Sequence, residues 1–268
     1  MIAEGIATDV VIEIGELPIR FCTDDPSFHE MLTGSYAGFV RSGSRAQIHF
    51  DVELAPADAM IGTGDVTVER EPERWLIGRG DFEAQWSPRL GRGVIRQSAN
   101  PYSFNTALRI LHTILLAEQG GFLVHASSAV RNGRAFLFAG VSGAGKTTMA
   151  RLAPPDVALL TDEISYVSRR GNTYLANGTP FAGDLGRIGE NICAPLAAVY
   201  LLAKGTENKI EPVNAAEAGR ALLENILFFA RDSELVRSVF EAACDFVSRV
   251  PVQRLTFAPD ARVWEMIG

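Results

Sequence analysis

A glycine-rich run near the middle of the chain constrains the fold more than any other stretch. Residues Gly140 to Thr147 read Gly-Val-Ser-Gly-Ala-Gly-Lys-Thr and match the pattern G-x-x-x-x-G-K-[ST] in full. The apolar residues 135–139 before the run predict a buried strand, and the residues after it predict a helix. A strand, a glycine loop and a helix in this order predict an α/β arrangement from Phe122 onward.

A loop of this composition is suited to bind a phosphate group. Its glycines let backbone N–H groups turn inward around an anion, and the N-terminal end of the following helix adds a positive dipole. Lys146 is predicted to span the β- and γ-phosphates of a nucleotide, and the hydroxyl of Thr147 is predicted to bind Mg²⁺. The predicted nucleotide-binding residues are Gly140, Ser142, Gly143, Ala144, Gly145, Lys146, Thr147 and Thr148.

An acidic pair, Asp162 and Glu163, follows the next apolar strand. The distance from Lys146 to Asp162 leaves room for one short helix and one strand. The pair should therefore emerge at the same edge of the sheet as the glycine loop. Carboxylates in that position hold Mg²⁺, or accept the proton of an attacking hydroxyl. A polar turn after a strand is the alternative interpretation.

His125 lies within an apolar strand, Phe122–Val130. The Asn132-Gly133 pair predicts a tight hairpin turn between this strand and the one that leads into the glycine loop. A histidine on an apolar strand is most often a core residue. The hairpin geometry also allows His125 to reach the phosphate edge and orient Asp162, so both interpretations are open.

The first hundred residues have a different character. Residues 1–104 contain 9 Arg, no Lys and 16 acidic residues, whereas residues 105–268 carry no net charge, so the whole formal charge of −7 belongs to the first part. Alternating apolar residues there predict several strands. We therefore predict a β-rich acidic lobe over 1–104 and a catalytic core over 105–268. An acidic chain is a poor general nucleic-acid binder.

Other features exclude further classes of protein. The chain has no apolar run long enough for a transmembrane helix, and its N-terminus lacks the basic and apolar regions of a signal peptide, so a cytoplasmic location without membrane binding is expected. The three cysteines are scattered and show no metal-ligand spacing. A helix is predicted from Pro101 to Gln119, with His112 at its surface or boundary.

The residues His125-Ala-Ser, Gly140–Thr148 and Leu160–Glu163 resemble the catalytic core of the HPr serine kinase/phosphorylase family, itself related to ATP-dependent phosphoenolpyruvate carboxykinase. The resemblance covers about Phe122 to Phe257. It implies an α/β (α+β) P-loop fold, with a mixed sheet and flanking helices, behind the β-rich lobe. It also implies transfer of the ATP γ-phosphoryl to a serine hydroxyl. In that reaction Asp162 would be the base, Glu163 would support Mg²⁺, and His125 would assist Asp162. The family has a second aspartate where this chain has Glu163.

The expected function is thus a kinase that uses ATP and Mg²⁺ and acts on a Ser or Thr hydroxyl of a small protein or peptide. The segment Gly178–Gly183 resembles shorter HPr-kinase-like proteins that occur beside peptide-modifying enzymes. Arg187, just beyond it, is predicted to contact the transferred phosphate or an anionic substrate, with an exposed loop arginine as the alternative. A non-catalytic ATP-binding regulator and a small-molecule kinase are alternative functions, and the sequence leaves homo-oligomerisation open.

Overall fold

The computed structural model of the protein describes residues 8–43, 45–56, 60 and 64–268. The chain divides into two compact units, each with its own sheet. The first unit comprises the residues up to Ile114 together with Phe229–Ser233, and the second comprises Leu115–Phe228 and Glu234–Gly268. The predicted boundary at residue 104 falls within a helix, and residues 1–7 of the predicted lobe lie outside the described residues.

The first unit is built on a seven-stranded mixed sheet. Its strands are β1 (Thr8–Ile14), β2 (Leu17–Thr23), β3 (Ile48–Leu54), β4 (Thr67–Arg70), β5 (Trp75–Arg79), β6 (Phe82–Ser87) and β7 (Arg92–Gln97). Their order across the sheet is β1-β2-β3-β7-β6-β5-β4. Strand β3 runs parallel to both of its neighbours, and the other pairs are antiparallel. The alternating apolar pattern of the sequence therefore does form strands.

Two local features of this unit were not predicted from the sequence. Strands β1 and β2 form a hairpin whose two loop residues, Gly15 and Glu16, both have positive φ. That geometry matches the right-handed twist of the flanking strands, but it usually calls for Asn-Gly or Asp-Gly. The helix α1 (Pro26–Ser35) begins at a capping Asp25, whose carboxylate accepts a hydrogen bond from the backbone N–H of Phe28.

The helix α2 (Pro101–Glu118) supplies the aromatic centre of the first unit's core. The ring of Phe104 is fully buried, and its centroid lies 4.9 Å from that of Phe21 and 5.7 Å from that of Tyr36. Both contacts are edge-to-face, the geometry in which the positive edge of one ring meets the negative face of the other. The helix was predicted from the spacing of its leucines, and its bounds agree with the prediction to within one residue.

His112 of α2 is buried, with 1% of its surface exposed, and the prediction that it lies at the helix surface or boundary is wrong. The error arises because histidine is only intermediate in burial preference, whereas its helix neighbours at i−4, i+3 and i+4, Leu108, Leu115 and Leu116, are buried and place His112 on the packed face. Burial lowers the pKa of the imidazole from 6.5 to about 3, since the charged form would lose its hydration. The folded protein therefore keeps His112 neutral over the physiological range.

This burial predicts that the protein loses stability in mild acid. The unfolded chain binds a proton at His112 below about pH 6.5 while the folded chain does not, so stability is complete above that pH and falls as the pH falls. We expect the free energy of unfolding from urea titrations to drop by about 2 kcal/mol between pH 7 and pH 5 through this group. His112→Met should flatten the pH dependence by that amount. An unchanged slope in this variant would contradict the prediction.

The second unit is built on a nine-stranded mixed sheet. Its strands are β8 (Phe122–Arg131), β9 (Arg134–Ala139), β10 (Ala158–Thr161), β11 (Ile164–Arg170), β12 (Thr173–Asn177), β13 (Cys193–Lys204), β14 (Lys209–Pro212), β15 (Ile226–Leu227) and β16 (Val252–Phe257). The main path runs β10-β8-β11-β12-β13-β16-β14, with β9 paired to both β8 and β13 and with β15 paired to β8.

The β8–β9 hairpin forms as predicted, because Asn132 and Gly133 take the positive φ angles of a tight turn. Strand β9 leads directly into the glycine loop and is covered on both faces. Ala135, Leu137 and Ala139 belong to one apolar cluster of the unit, and the alternate residues Phe136 and Phe138 belong to the other. A strand buried on both faces explains why residues 135–139 are apolar without a gap.

Helices cover this sheet. They are α3 (Lys146–Arg151), α4 (Ala215–Asn225) and α5 (Ser233–Arg249), with a 3₁₀ helix at Ala261–Met266. Helix α5 buries Phe246 against the rings of Phe122 and Tyr174, at centroid distances of 5.2 and 4.9 Å. The helical pattern of the sequence continues to residue 229, but α4 ends at Asn225 because Ile226 is extended and pairs with β8. None of the described helices combines the length and apolarity of a membrane span.

The chain thus combines two mixed β-sheets with helices, which confirms the predicted α+β class.

Candidate functional site

A cavity of about 350 Å³ opens beside the glycine loop in the second unit. Its lining comes from β8, from the loop and the start of α3, from the residues after β10, and from the connection between β12 and β13. The lining residues are His125, Ser142, Gly143, Gly145, Lys146, Thr147, Thr148, Asp162, Glu163 and Asp184. We call it the loop cavity. All but Asp184 are residues that the sequence analysis singled out.

The shape of the glycine loop depends on glycines whose replacement by any residue with a Cβ would distort the backbone. Gly143 and Gly145 have φ angles of 76° and 114°, a region that L-residues with a Cβ rarely adopt. A Cβ on Gly145 would also lie 2.6 Å from the ring of Phe257, which is buried on β16. The loop can therefore keep this path only with glycine at position 145. Helix α3 begins at Lys146, as predicted, and is six residues long.

Lys146 lies at the junction of the loop and the helix, with 8% of its surface exposed. Its Nζ donates hydrogen bonds to the carbonyl oxygens of Gly140, at 2.7 Å, and Val141, at 3.3 Å. Burial lowers the pKa of the ammonium, and the nearby Glu163 carboxylate offsets part of that effect. The lysine is thus a partly desolvated cation beside a carboxylate, and it can attract an anion that enters the cavity.

Sheet pairing brings His125 to the acidic pair. Strands β8 and β11 are antiparallel, and their register places His125 opposite Ile164, the residue that follows Glu163. Strand β10 also pairs with β8, so that Asp162 and Glu163 occupy the short connection between two strands that share one neighbour. The sequence left open whether His125 is a core residue. In the structure it is half-buried and lines the loop cavity.

Asp162 is the most buried carboxylate of the site, with 2% of its surface exposed. Its Oδ1 accepts a hydrogen bond from the backbone N–H of Gly183 at 2.8 Å, and its Oδ2 accepts one from that of Leu185 at 2.9 Å. Glu163 is half-buried, and its carboxylate lies close enough to Lys146 to favour the charged ammonium and so raise its pKa. The two neighbouring carboxylates therefore have different surroundings.

Asp184 is the lining residue that the sequence analysis did not predict. It lies between the two residues whose backbone amides bind Asp162, and it is an exposed residue that lines the cavity. The only sequence signal was its place in a polar stretch after Gly183, which is typical of any loop. Its position depends on how the loop folds back, since Asp162 binds the residues on either side of it across 21 and 23 positions of the chain.

Three predicted residues do not line the loop cavity. Gly140 lies below the loop, where its carbonyl binds Lys146 and a Cβ would meet that of Ala144 at 2.8 Å. Ala144 is buried in an apolar cluster with Phe138. Arg187 is exposed on the same connection as Asp184, and the structure does not bring it into the cavity.

The described residues contain no group of three or more His, Cys, Asp or Glu side chains arranged to hold a metal ion. A preformed protein cage for a cation is therefore absent from this part of the chain. Mg²⁺ does not need one, since it usually keeps several waters and binds through one or two carboxylates together with substrate phosphates.

Comparisons with known proteins place the chain in a family. No curated protein matches the chain. Among solved structures, the Hpr(Ser) kinase/phosphatase from Coxiella burnetii is similar at 13% identity and a TM-score of 0.25, covering 44% of this chain and 93% of that chain. That likeness is too slight to carry a functional argument. The sequence model of the SynChlorMet cassette protein ScmC matches residues 99–268, more than half of the chain. The chain therefore belongs to the ScmC family of SynChlorMet cassette proteins.

Proposed function

We propose that the chain is an ATP- and Mg²⁺-dependent phosphotransferase that acts on a Ser or Thr hydroxyl of a peptide or small protein. One observation carries the proposal. The lysine and threonine of a G-x-x-x-x-G-K-T loop share a single cavity with a histidine and three carboxylates. A nucleotide-binding loop alone would suit a sensor, but carboxylates beside it supply the groups that phosphoryl transfer needs.

The phosphate side of the site is the glycine loop with Lys146 and Thr147. Backbone N–H groups at the start of a helix have no acceptor within it, so those of the first turn of α3 are available to phosphate oxygens. The Lys146 ammonium can exchange the carbonyls of Gly140 and Val141 for β- and γ-phosphate oxygens. The Thr147 hydroxyl lines the same cavity and is a suitable metal ligand.

The charges of the cavity fit a magnesium–nucleotide complex better than a free nucleotide. Asp162, Glu163 and Asp184 outnumber the single lysine, and ionised carboxylates repel the phosphates of ATP. Carboxylate and hydroxyl oxygens are also the ligands that Mg²⁺ prefers. Thr147 and Glu163 would hold the ion. When bound, Mg²⁺ neutralises charge on the transferred phosphoryl group.

The residues can then assist an in-line transfer. The acceptor hydroxyl oxygen forms a bond to the γ-phosphorus while the bond from that phosphorus to the β–γ bridging oxygen breaks, which releases ADP. The hydroxyl proton passes to a carboxylate of the Asp162–Glu163 pair. His125 lies beside this pair through the β8–β11 pairing and can orient it. The acceptor class, a Ser or Thr hydroxyl, rests on the resemblance in sequence to the HPr serine kinase/phosphorylase family, and not on the structural likeness.

The proposal predicts turnover that depends on magnesium. Full-length protein with ATP labelled at the γ-phosphate and excess Mg²⁺ should transfer label to members of a Ser/Thr peptide panel and release ADP. Chelation of Mg²⁺ should abolish transfer and weaken ATP binding, measured by calorimetry, by about tenfold or more, because the net negative cavity then repels the phosphates.

The other outcomes separate the alternatives. ATP binding without ADP release, across peptides and small hydroxyl compounds alike, would support the non-catalytic regulator. Label transfer to a small hydroxyl compound alone would support the small-molecule kinase. Nucleotide affinity that is unaffected by chelation would contradict the proposed role of the carboxylates.

A further inference from the structure

The connection between β12 and β13, residues 178–192, is unusually well anchored for a chain segment without secondary structure. We call it the 178–192 segment. Loops of this length are uncommon in compact domains, and ordered ones are usually functional. Here both ends bind β10, because the backbone N–H of Thr179 donates to the carbonyl of Leu160 at 3.0 Å and that of Glu190 donates to the carbonyl of Leu159 at 2.9 Å. The segment therefore starts and ends at the strand that leads to Asp162.

The glycines of the segment show how closely it approaches its neighbours. A Cβ on Gly189 would lie 1.7 Å from the carbonyl oxygen of Leu160, and a Cβ on Gly183 would lie 2.8 Å from the Cβ of Glu163. Real Cβ atoms do not approach that closely, so both positions accept only glycine in this conformation. The segment is thus packed against the acidic pair itself as well as against β10.

Asp162 holds the outer part of the segment on both sides of Asp184. Its two carboxylate oxygens bind the backbone amides of residues 183 and 185, which flank Asp184 directly. Hydrogen bonds from N–H groups to a carboxylate are short and about twice as strong as those between neutral groups. Two of them, one on each side of Asp184, hold the backbone at this residue and thus the position of its Cα beside the cavity.

We propose, on the basis of the function proposed above, that Asp162 is a positioning residue and that Asp184 is a further carboxylate of the site. Asp162 holds the turn of residues 183–185 so that Asp184 faces the loop cavity. Asp184 and Thr147 then contact the magnesium–nucleotide complex, and Glu163 takes the hydroxyl proton instead of holding the ion. The geometry thus gives Asp162 a different role from the base that the family resemblance implies.

The positioning role is tested first by amide hydrogen exchange, which needs no nucleotide. Asp162→Asn keeps the shape of the side chain but presents an NH₂ group to one of the two backbone donors. We expect exchange at Gly183 and Leu185 to become about tenfold faster in the full-length variant. Glu190→Gln removes a charge from the same segment away from the cavity, and it should leave both rates unchanged. Equal rates in wild type and Asp162→Asn would overturn the proposal.

A double-mutant cycle tests whether Asp162 acts through Asp184. The dissociation constant of Mg·ATP is measured by calorimetry for Asp162→Asn, Asp184→Asn and the double variant. We expect each single variant to bind about tenfold more weakly and the double variant to bind no more weakly than Asp184→Asn, because both remove the same contact. A product of the two effects, about 100-fold, would show that Asp162 acts independently and would overturn the proposal.

The two experiments distinguish this inference from the proposed function. Wild-type protein with no affinity for Mg·ATP would contradict the proposed function, and with it the role of Asp184, while the exchange rates at residues 183 and 185 would still decide whether Asp162 holds the segment. Normal Mg·ATP binding with additive variants would contradict the positioning role alone.

Discussion

Replacing Lys146 with alanine or methionine is expected to weaken ATP binding by about 100-fold, which is the largest effect on nucleotide affinity that we predict. Among the described residues Lys146 is the only lysine or arginine that lines the loop cavity, and three carboxylates line it too. Removing it therefore leaves a strongly negative cavity and takes away charge-assisted hydrogen bonds to the phosphates, each worth about 1.5–3 kcal/mol. Calorimetry with Mg·ATP measures the change directly.

The methionine variant is included because misfolding of Lys146→Ala would also abolish ATP binding. Lys146 is buried, and methionine fills the volume of its alkyl stem without the charge. The matched control is Lys209→Ala, which removes a lysine whose exposed side chain pairs with Glu211. It should bind ATP like wild type. Wild-type affinity in Lys146→Met would refute the assignment of the glycine loop as the phosphate site.

Lysine labelling gives a second test of the same assignment. The chain contains three lysines, Lys146, Lys204 and Lys209, so modification by an amine reagent can be followed by mass spectrometry residue by residue. Because its pKa is lowered, Lys146 has more of the reactive neutral amine than an ordinary lysine at the same pH. Mg·ATP should protect this residue and leave the other two unchanged. Equal labelling with and without nucleotide would argue against contact with phosphate.

The largest expected effect on stability is that of Gly189→Ala. The added methyl group would lie 1.7 Å from the carbonyl oxygen of Leu160, a backbone atom that cannot move without breaking its bond to the N–H of Thr179. We expect the free energy of unfolding to fall by about 3 kcal/mol, at the upper end of the cost of overpacking. Urea titration followed by circular dichroism measures this loss.

Gly186→Ala is the matched control for this prediction, since the same methyl group is added to the same segment. Gly186 has a φ of 62°, and no atom lies within 4 Å of the place that its Cβ would take, so the substitution introduces backbone strain without a collision. It should cost about 1 kcal/mol. If Gly189→Ala is no more destabilising than Gly186→Ala, the 178–192 segment is not packed against β10 as described.

Much of the second unit could be predicted because its signals are local. The Asn132-Gly133 turn, the apolar run 135–139 and the glycines at 143 and 145 each specify the conformation of a few adjacent residues. The apolar pattern of α5 is equally local, since one face of a helix is read from residues three and four apart. The glycine motif, the acidic pair after the next strand and the histidine of the preceding strand are local signals too, and together they supplied nine of the ten residues that line the loop cavity.

The features that were missed depend on contacts between distant parts of the chain. Ile226 follows a helical pattern but becomes a strand because β8 offers it a pairing partner. His112 lies on a predicted helix, yet its burial depends on how that helix packs in the first unit. Strand β7 has a weak pattern of its own and is stabilised by β3 and β6, with which it pairs.

By itself, the sequence determined the glycine loop with its lysine and threonine, and the position of an acidic pair after the next strand. Turn chemistry and hydrophobic periodicity act over a few residues, and they can therefore be recognised without the fold. Only the tertiary structure decided that His125 faces the cavity, that Asp162 binds the amides around Asp184 and that Arg187 stays outside. The register of the strands and the path of the 178–192 segment bring together residues that are far apart in the chain. No local sequence pattern specifies which of these residues meet.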